Sequence, residues 1–296
     1  QARLGEAILA ATGNQPLNAF SLPKLLWLKE ELPQAFLRAR AFLSAKDYLR
    51  LVLTGEAAQE VTDAFNSLCV TLPGRGWNRP LIREAGLPEG LFPPLLEPFD
   101  RAGAVTREAA ALTGLLPGTP VFAGGADMAC AALAMGLGEP GDASISLGTN
   151  APFLMMTGSV NQALASALTY HAGVFPGQVY ALGSHFNGGL SVNCFSKLFS
   201  EDGRIDYDMI GALAREAEAV PPGCQGVMTL PFFAGSGSPY FSPADRATVA
   251  GVSTATTRPQ LFRSLLEGVA LNMRQSLSLM QTLCPGAQAR IFLFGG

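Results

Sequence analysis

The sequence predicts an α/β protein, and three observations carry that reading. Its 296 residues are 48% hydrophobic and 15% charged, which suits about two globular domains with sizeable cores. Pro120 precedes a short apolar run that stops at Gly124-Gly125, and Asp127 then opens a stretch rich in Ala, Leu and Met: a strand, a tight turn and a helix. After a turn over 139–142, a second strand covers Ala143–Leu147 and breaks into Gly148-Thr149-Asn150, a loop of small residues whose N–H groups can approach a phosphate. Strand candidates at 153–156 and at 178–182, with 183–186, alternate with helical stretches as a mixed sheet requires.

Composition narrows the function. A formal net charge of −3 and the lack of a useful Lys/Arg run argue against a nucleic-acid partner. Five scattered cysteines with no C-x-x-C pair suggest neither a disulfide framework nor a zinc site, and they make the cytoplasm the expected compartment. No apolar run reaches the ~18 residues of a membrane span, and the start has no signal-peptide design, so no membrane partner is expected.

Taken in order, residues 2–11 read as a helix stopped by Gly13-Asn14. Over 17–32, Ser21 is an N-cap candidate, Pro23 suits a first turn, and Leu25, Leu28 and Leu32 are spaced for one buried face, with Trp27 read as core. Over 42–55, Ser44 is the N-cap candidate and Gly55 the terminator; Tyr48, Leu49, Val52 and Leu53 make the apolar face, leaving Lys46 and Asp47 as solvated charges. The Pro- and Gly-dense stretch 75–116 reads as short helices and loops, and a domain boundary is expected near Gly118. Asp127 falls in a turn or first helical turn, where it either caps the helix or stands as an ionised carboxylate favoured by the helix dipole. His171 and His185 have no partner at metal spacing and are read as structural or surface residues. A helix begins at Asn187-Gly188-Gly189, and a strand over 227–233 ends in a glycine and serine loop. Pro259 opens a long helix with Phe262, Leu266, Val269, Met273, Leu277 and Met280 as its inward stripe; a strand over 290–294 runs into Gly295-Gly296.

Several of these segments together resemble the FGGY carbohydrate kinases. G-G-A-D-M-A-C-A-A-L-A-M-G followed by S-L-G-T-N is similar to that family's central block of a Gly-Gly pair, a catalytic Asp, an Ala-rich helix and S-L-G-T-S. Ser21, Lys24, Leu25, Trp27, Leu28 and Glu30 match the first family signature, from which Ala19 departs. Val249, Gly251, Val252, Gln260, Leu261, Ser264, Leu266 and Glu267 match the second, from which Leu265 departs. K-D-Y-L with L-T-G, the E-V-T-D-A-F-N-S stretch and P-x-x-x-G-x-x-x-P-Y at Pro231 to Tyr240 also follow the family's order.

The resemblance implies a ribonuclease H-like, actin-like ATPase fold of two domains, present as a partial chain: residues 1–118 the latter part of the N-terminal domain, residues 119–296 the first part of the C-terminal domain. It implies an ATP- and Mg²⁺-dependent transfer of phosphate to a sugar hydroxyl. Asp127 would be the general base and, with Met128, contact the sugar; Gly148 and Thr149 would contact the ATP phosphates, and Gly295 and Gly296 the adenosine side. The implied partners are a small sugar and ATP, and a homodimer is compatible with them. A xylulose-like ketose is the first substrate expected, with other pentuloses, hexuloses and polyols behind it. The family's D-x-G-[TS] phosphate hairpin does not occur in this sequence, and the chain is read as an excerpt of a longer one. A non-catalytic sugar-binding or regulatory relative is the alternative; an actin-like or chaperone-like ATPase would lack the second signature.

Overall fold

The computed structural model describes residues 2–72, 74–200, 202–287 and 290–295. The chain divides into two compact units: Gln1–Glu139 with Met156–Ala165 and Thr169–Tyr180, and Pro140–Met155 with Ser166–Leu168 and Ala181–Gly296.

In the first unit, α1 (Ala2–Thr12) stops at Gly13, whose φ of +72° is a left-handed turn that glycine adopts without a Cβ penalty. Then come α2 (Ser21–Glu31) and α3 (Pro33–Arg38), and the buried Leu22 and Leu25 of α2 join Ile8, Phe20, Leu68 and Ile82 in one core. Trp27 is not core: it is 56% exposed, because it stands two residues past Leu25 and so about 200° around the helix. Leu32, the end of the expected face, is exposed as well.

The helix α4 (Ala45–Thr54) inverts its expected orientation. Its buried residues are Asp47, Arg50 and Thr54, at helical spacing, while Tyr48, Leu49 and Val52 are exposed. The inward polar side chains are tolerated because they pair with one another and with the segments they face. Short elements follow: β1 (Gln59–Glu60), α5 (Val61–Phe65), α6 (Arg79–Glu84), β2 (Leu95–Leu96) parallel to β1, β3 (Arg101–Ala104), α7 (Arg107–Thr113) and β4 (Pro120–Phe122). Gly118 lies in the turn from α7 into β4, and β4 pairs back antiparallel on β3, with Phe122 opposite Arg101. The loop after β4 leads into α8 (Asp127–Ala134).

After α8 the chain forms β5 (Ala143–Leu147) and β6 (Phe153–Met156) and then β7 (Thr169–Ala172) and β8 (Val179–Gly183). Within the first unit β7 is locked by Asn14, whose side chain accepts the Tyr170 N–H at 2.8 Å and donates to the Tyr170 carbonyl at 2.8 Å. Ala172 packs with Val61, Ala64, Phe65 and Val70.

The second unit contains α9 (Gly189–Phe199), α10 (Tyr207–Glu218), the hairpin β9 (Met228–Leu230) and β10 (Thr248–Ala250), α11 (Arg258–Gln281) and β11 (Ile291–Gly295). β11 runs parallel to β5, from Ile291 opposite Ala143 to Gly295 opposite Leu147, and β6 is antiparallel on the other side of β5. Phe195, Leu213, Ala217, Phe262 and Leu265 join α9, α10 and α11. A capping box of Thr257 and Gln260 starts α11, with a proline in its first turn.

Of the expected α11 stripe only Phe262 and Met280 are buried; the inward line also includes Ser264, Gly268, Asn272 and Ser276, while Leu266 is exposed. The reason is close approach of backbone. A Cβ on Gly268 would lie 2.1 Å from the Thr229 carbonyl oxygen, and the hydroxyls of Thr229 and Ser264 meet at 2.6 Å. Large apolar side chains on this face would push β9 off the helix.

Candidate active site

In the first unit, the turn before α8 is made by Gly124 at φ +74° and by Ala126, an extended N-cap residue with no capping side chain. Asp127 is therefore the first residue of the helix rather than its cap. Its carboxylate is exposed at the positive helix end, and Oδ1 accepts the Met128 N–H at 2.7 Å. Met128 is half-buried beside it.

Behind this turn is a cluster of charges, and it includes Lys46 and Asp47, which helical periodicity places in solvent. Asp47 and Glu60 are fully buried, and the Lys46 ammonium lies 2.9 Å from Asp47 Oδ1, 3.6 Å from Glu60 Oε2 and 3.4 Å from Asp63 Oδ2. Arg50 Nη1 is 2.8 Å from Asp47 Oδ1, and Ser44 donates to Asp47 Oδ2 at 2.6 Å instead of capping α4. Burial raises the Glu60 and Asp63 carboxyls above the ordinary carboxylate range, against the pull of the Thr62 hydrogen bonds and Lys46 on Glu60, and of Lys46 on Asp63.

This cluster reaches the Asp127 turn through two contacts. Lys46 Nζ donates to the Ala123 carbonyl at 3.3 Å, and the Ala126 N–H donates to Thr62 Oγ1 at 2.8 Å. The Thr62 hydroxyl in turn donates to Glu60 Oε2 at 2.7 Å, while Glu60 caps α5 by accepting the Thr62 and Asp63 N–H groups. The turn is further held by the Ala123 and Gly124 N–H groups, which donate to the carbonyls of Asp100 and Pro98.

His171 bears out its structural reading. Its Nδ1 is 2.7 Å from Asn66 Oδ1, its Nε2 is 2.9 Å from Thr169 Oγ1, and burial pushes its pKa down to about 4. Its ring stacks on Tyr180 at 5.1 Å. The Tyr180 phenol is raised first by burial and then by the charge of Asp127. His185, in the second unit, is buried and pairs through Nδ1 with Asn272 Oδ1 at 3.0 Å.

The second unit brings Gly148, Thr149 and Gly295 together. Gly295 pairs with Leu147, so the carboxyl ends of β5 and β11 lie side by side and the Gly148-Thr149-Asn150 loop leaves from that edge. Two carbonyls of the loop receive the first turn of α9: Gly189 N–H donates to Gly148 O at 2.7 Å and Leu190 N–H to Thr149 O at 3.0 Å. Glycine is required at these approaches. A Cβ would lie 2.0 Å from Leu147 O at Gly295, 2.8 Å from the Asn150 carbonyl carbon at Gly188, and 2.9 Å from Gly148 O at Gly189. Gly188 and Gly189 thus join the predicted residues here, and the strand-end position of Asn187-Gly188-Gly189 was the signal for them. Gly296 lies outside the described residues.

The profile of the FGGY family of carbohydrate kinases, N-terminal domain, matches residues 2–134, and the profile of its C-terminal domain matches residues 143–296. The chain belongs to the FGGY family of carbohydrate kinases. Among FGGY relatives, it is 30% identical over 294 residues to the xylulose kinase of Lactococcus lactis subsp. lactis and 28% identical over 294 residues to that of Bacillus subtilis. Both alignments cover 99% of this chain and 58% of the relative, so the chain spans less than two thirds of their length. Among solved structures, a xyloylose kinase from Brucella ovis superposes with a TM-score of 0.87 at 30% identity, covering 100% of this chain and 60% of that one. The xylulose kinase of Rhodospirillum rubrum gives a TM-score of 0.86 at 30% identity, covering 96% and 57%. The expected fold class is therefore that of the FGGY kinases.

Among the described residues, no group of three or more His, Cys, Asp or Glu side chains is arranged to hold a metal ion. No helix among them is long and apolar enough to cross a membrane. The residues missed from sequence are Lys46, Glu60 and Thr62; the trace they left is a K-D pair followed by E-x-T-D between apolar segments.

Proposed function

We propose that this FGGY chain takes part in ATP-dependent phosphorylation of a sugar hydroxyl, with Asp127 as general base and a pentulose such as xylulose as the sugar. The observation that carries this reading is Asp127 itself: an exposed carboxylate at the head of α8, on a turn held by a buried charge network. An acceptor hydroxyl bound there would give its proton to an Asp127 oxygen as its own oxygen bonds to the γ-phosphorus of ATP and the bond from that phosphorus to the bridging oxygen breaks, releasing ADP. Such general-base assistance is typically worth 10²–10⁴-fold, or about 3–5 kcal/mol of barrier. The kinship to xylulose kinases supports a ketose substrate, and Met128, half-buried next to the base, would line the sugar.

The Gly148–Thr149 loop and Gly295 are assigned to ATP. Their support is the tight packing at Gly188, Gly189 and Gly295, which leaves backbone rather than side chains at the strand ends, as a phosphate cradle needs. Mg²⁺ would be borne by the nucleotide phosphates, where it neutralises charge, and no residue of this chain is assigned to it. The chain's own work is to hold the loop open to phosphate and to keep the base in place.

The test is ADP release by the full-length protein with Mg-ATP across a panel of ketoses and polyols, with Asp127→Ala alongside. Sugar-dependent turnover that collapses in the variant is expected, and its sugar preference names the substrate. Sugar binding without turnover for any sugar would replace this reading with a regulatory one.

A further inference from the structure

We propose that Thr62, braced by Glu60 and Lys46, is a positioning residue that sets the Asp127 turn for phosphoryl transfer. This rests on the reading of Asp127 as base. The residue immediately before Asp127 gives its N–H to Thr62 Oγ1 at 2.8 Å, and that hydroxyl has a fixed orientation because its proton goes to Glu60 Oε2 at 2.7 Å. Glu60 is itself immobile: fully buried, it accepts two backbone N–H groups of α5 and stands 3.6 Å from the Lys46 ammonium. Lys46 closes the arrangement by donating to the carbonyl of Ala123, on the other side of the Gly124-Gly125 pair.

The turn is thus held on both sides of its two most flexible residues. Gly124 and Gly125 leave the backbone conformationally loose, and a general base must be placed to within a fraction of an ångström for efficient proton transfer. Packing does not explain the device. A fully buried carboxylate beside a partly exposed ammonium is not a favourable substitute for apolar residues in a core, whereas a chain of hydrogen bonds fixes one geometry of the turn. A Cβ on Gly125 would lie 3.0 Å from Cys130 Sγ and 3.6 Å from Thr62 Oγ1, so the turn passes directly beside the Thr62 hydroxyl. Thr62 does not touch the reacting atoms in this account; it acts through Asp127.

The experiment compares Thr62→Val and Thr62→Ser in the full-length protein, with Asp127→Ala as reference. It measures kcat and KM for sugar and ATP well below the thermal midpoint of each variant, together with amide hydrogen exchange over residues 123–128. Thr62→Val is expected to lower kcat about 10- to 100-fold with both KM values within about twofold, and to speed exchange at Ala126. Thr62→Ser keeps the hydroxyl and is expected to restore kcat to within about threefold of the parent. If Thr62→Val does not accumulate folded, Thr62→Ala takes its place with the same expectation. A parental kcat in Thr62→Val or Thr62→Ala while Asp127→Ala is inactive overturns the positioning role alone. Parental activity in Asp127→Ala overturns the base reading and this inference with it.

Discussion

The surroundings of Asp127 and those of Gly148 are built from opposite materials. Around Asp127, five charged side chains from Lys46 to Asp63 meet beneath one exposed carboxylate. Around Gly148 the hydrogen bonds run backbone to backbone, and the side chains that matter are the ones glycine omits. The first arrangement fixes a reactive group; the second fixes a shape. Substitutions should therefore separate cleanly, with turnover failing in the first region and nucleotide affinity or strand pairing in the second.

The largest effect is expected at Asp127. Asp127→Ala should reduce kcat by at least about 10²–10⁴-fold while leaving the thermal midpoint nearly unchanged, because the side chain is exposed. Equal losses in activity and stability would break the contrast. In the second region, Gly295→Ala should destabilise by about 3 kcal/mol, since its Cβ would enter the Leu147 carbonyl and its φ of +148° is unfavourable for an L-residue. A urea unfolding midpoint reads this directly. Gly189→Ala, whose Cβ would crowd the Gly148 carbonyl at 2.9 Å, should raise KM for ATP about tenfold with little change in kcat.

His171 offers a pH test within the first unit. It is neutral in the fold with a pKa of about 4, whereas unfolding restores the ordinary value of 6.5. The unfolded chain therefore takes up the extra proton between those values. Stability is complete above about pH 6.5 and falls as pH drops toward about 4, by about 3 kcal/mol. Urea midpoints at pH 7, 5.5 and 4.5 should fall less steeply in His171→Gln. The smallest effect is expected outside both regions: Thr106 caps α7 by accepting the Ala109 N–H at 3.1 Å, and Thr106→Ala should cost about 1 kcal/mol without touching kcat or KM.

What the sequence made legible follows the same contrast. The backbone region was readable, because glycines, strand ends and a proline such as Pro259 are local signals: Ala143–Leu147, the start of α9 and the first turn of α11 all stand where those signals put them. Asp127 at the head of α8 was readable for the same reason. The network beneath it was not. Periodicity treats the apolar side of a helix as the inner side, and α4 turns Asp47 and Arg50 inward while Tyr48 and Leu49 face out. In α11 the same rule failed because Gly268 and Ser276 admit neighbouring backbone where larger side chains were expected. Partners distant in sequence, Lys46 with Glu60 and Thr62 with Ala126, decide both faces of the Asp127 turn.

The most direct test is single-turnover formation of the sugar phosphate, followed by rapid quench with saturating xylulose and Mg-ATP, in the full-length protein and in Asp127→Asn. Loss of the phosphate ester by at least about 10²-fold, with sugar and nucleotide still bound, is the result expected of a general base. Ester formation at the parental rate in Asp127→Asn would contradict it.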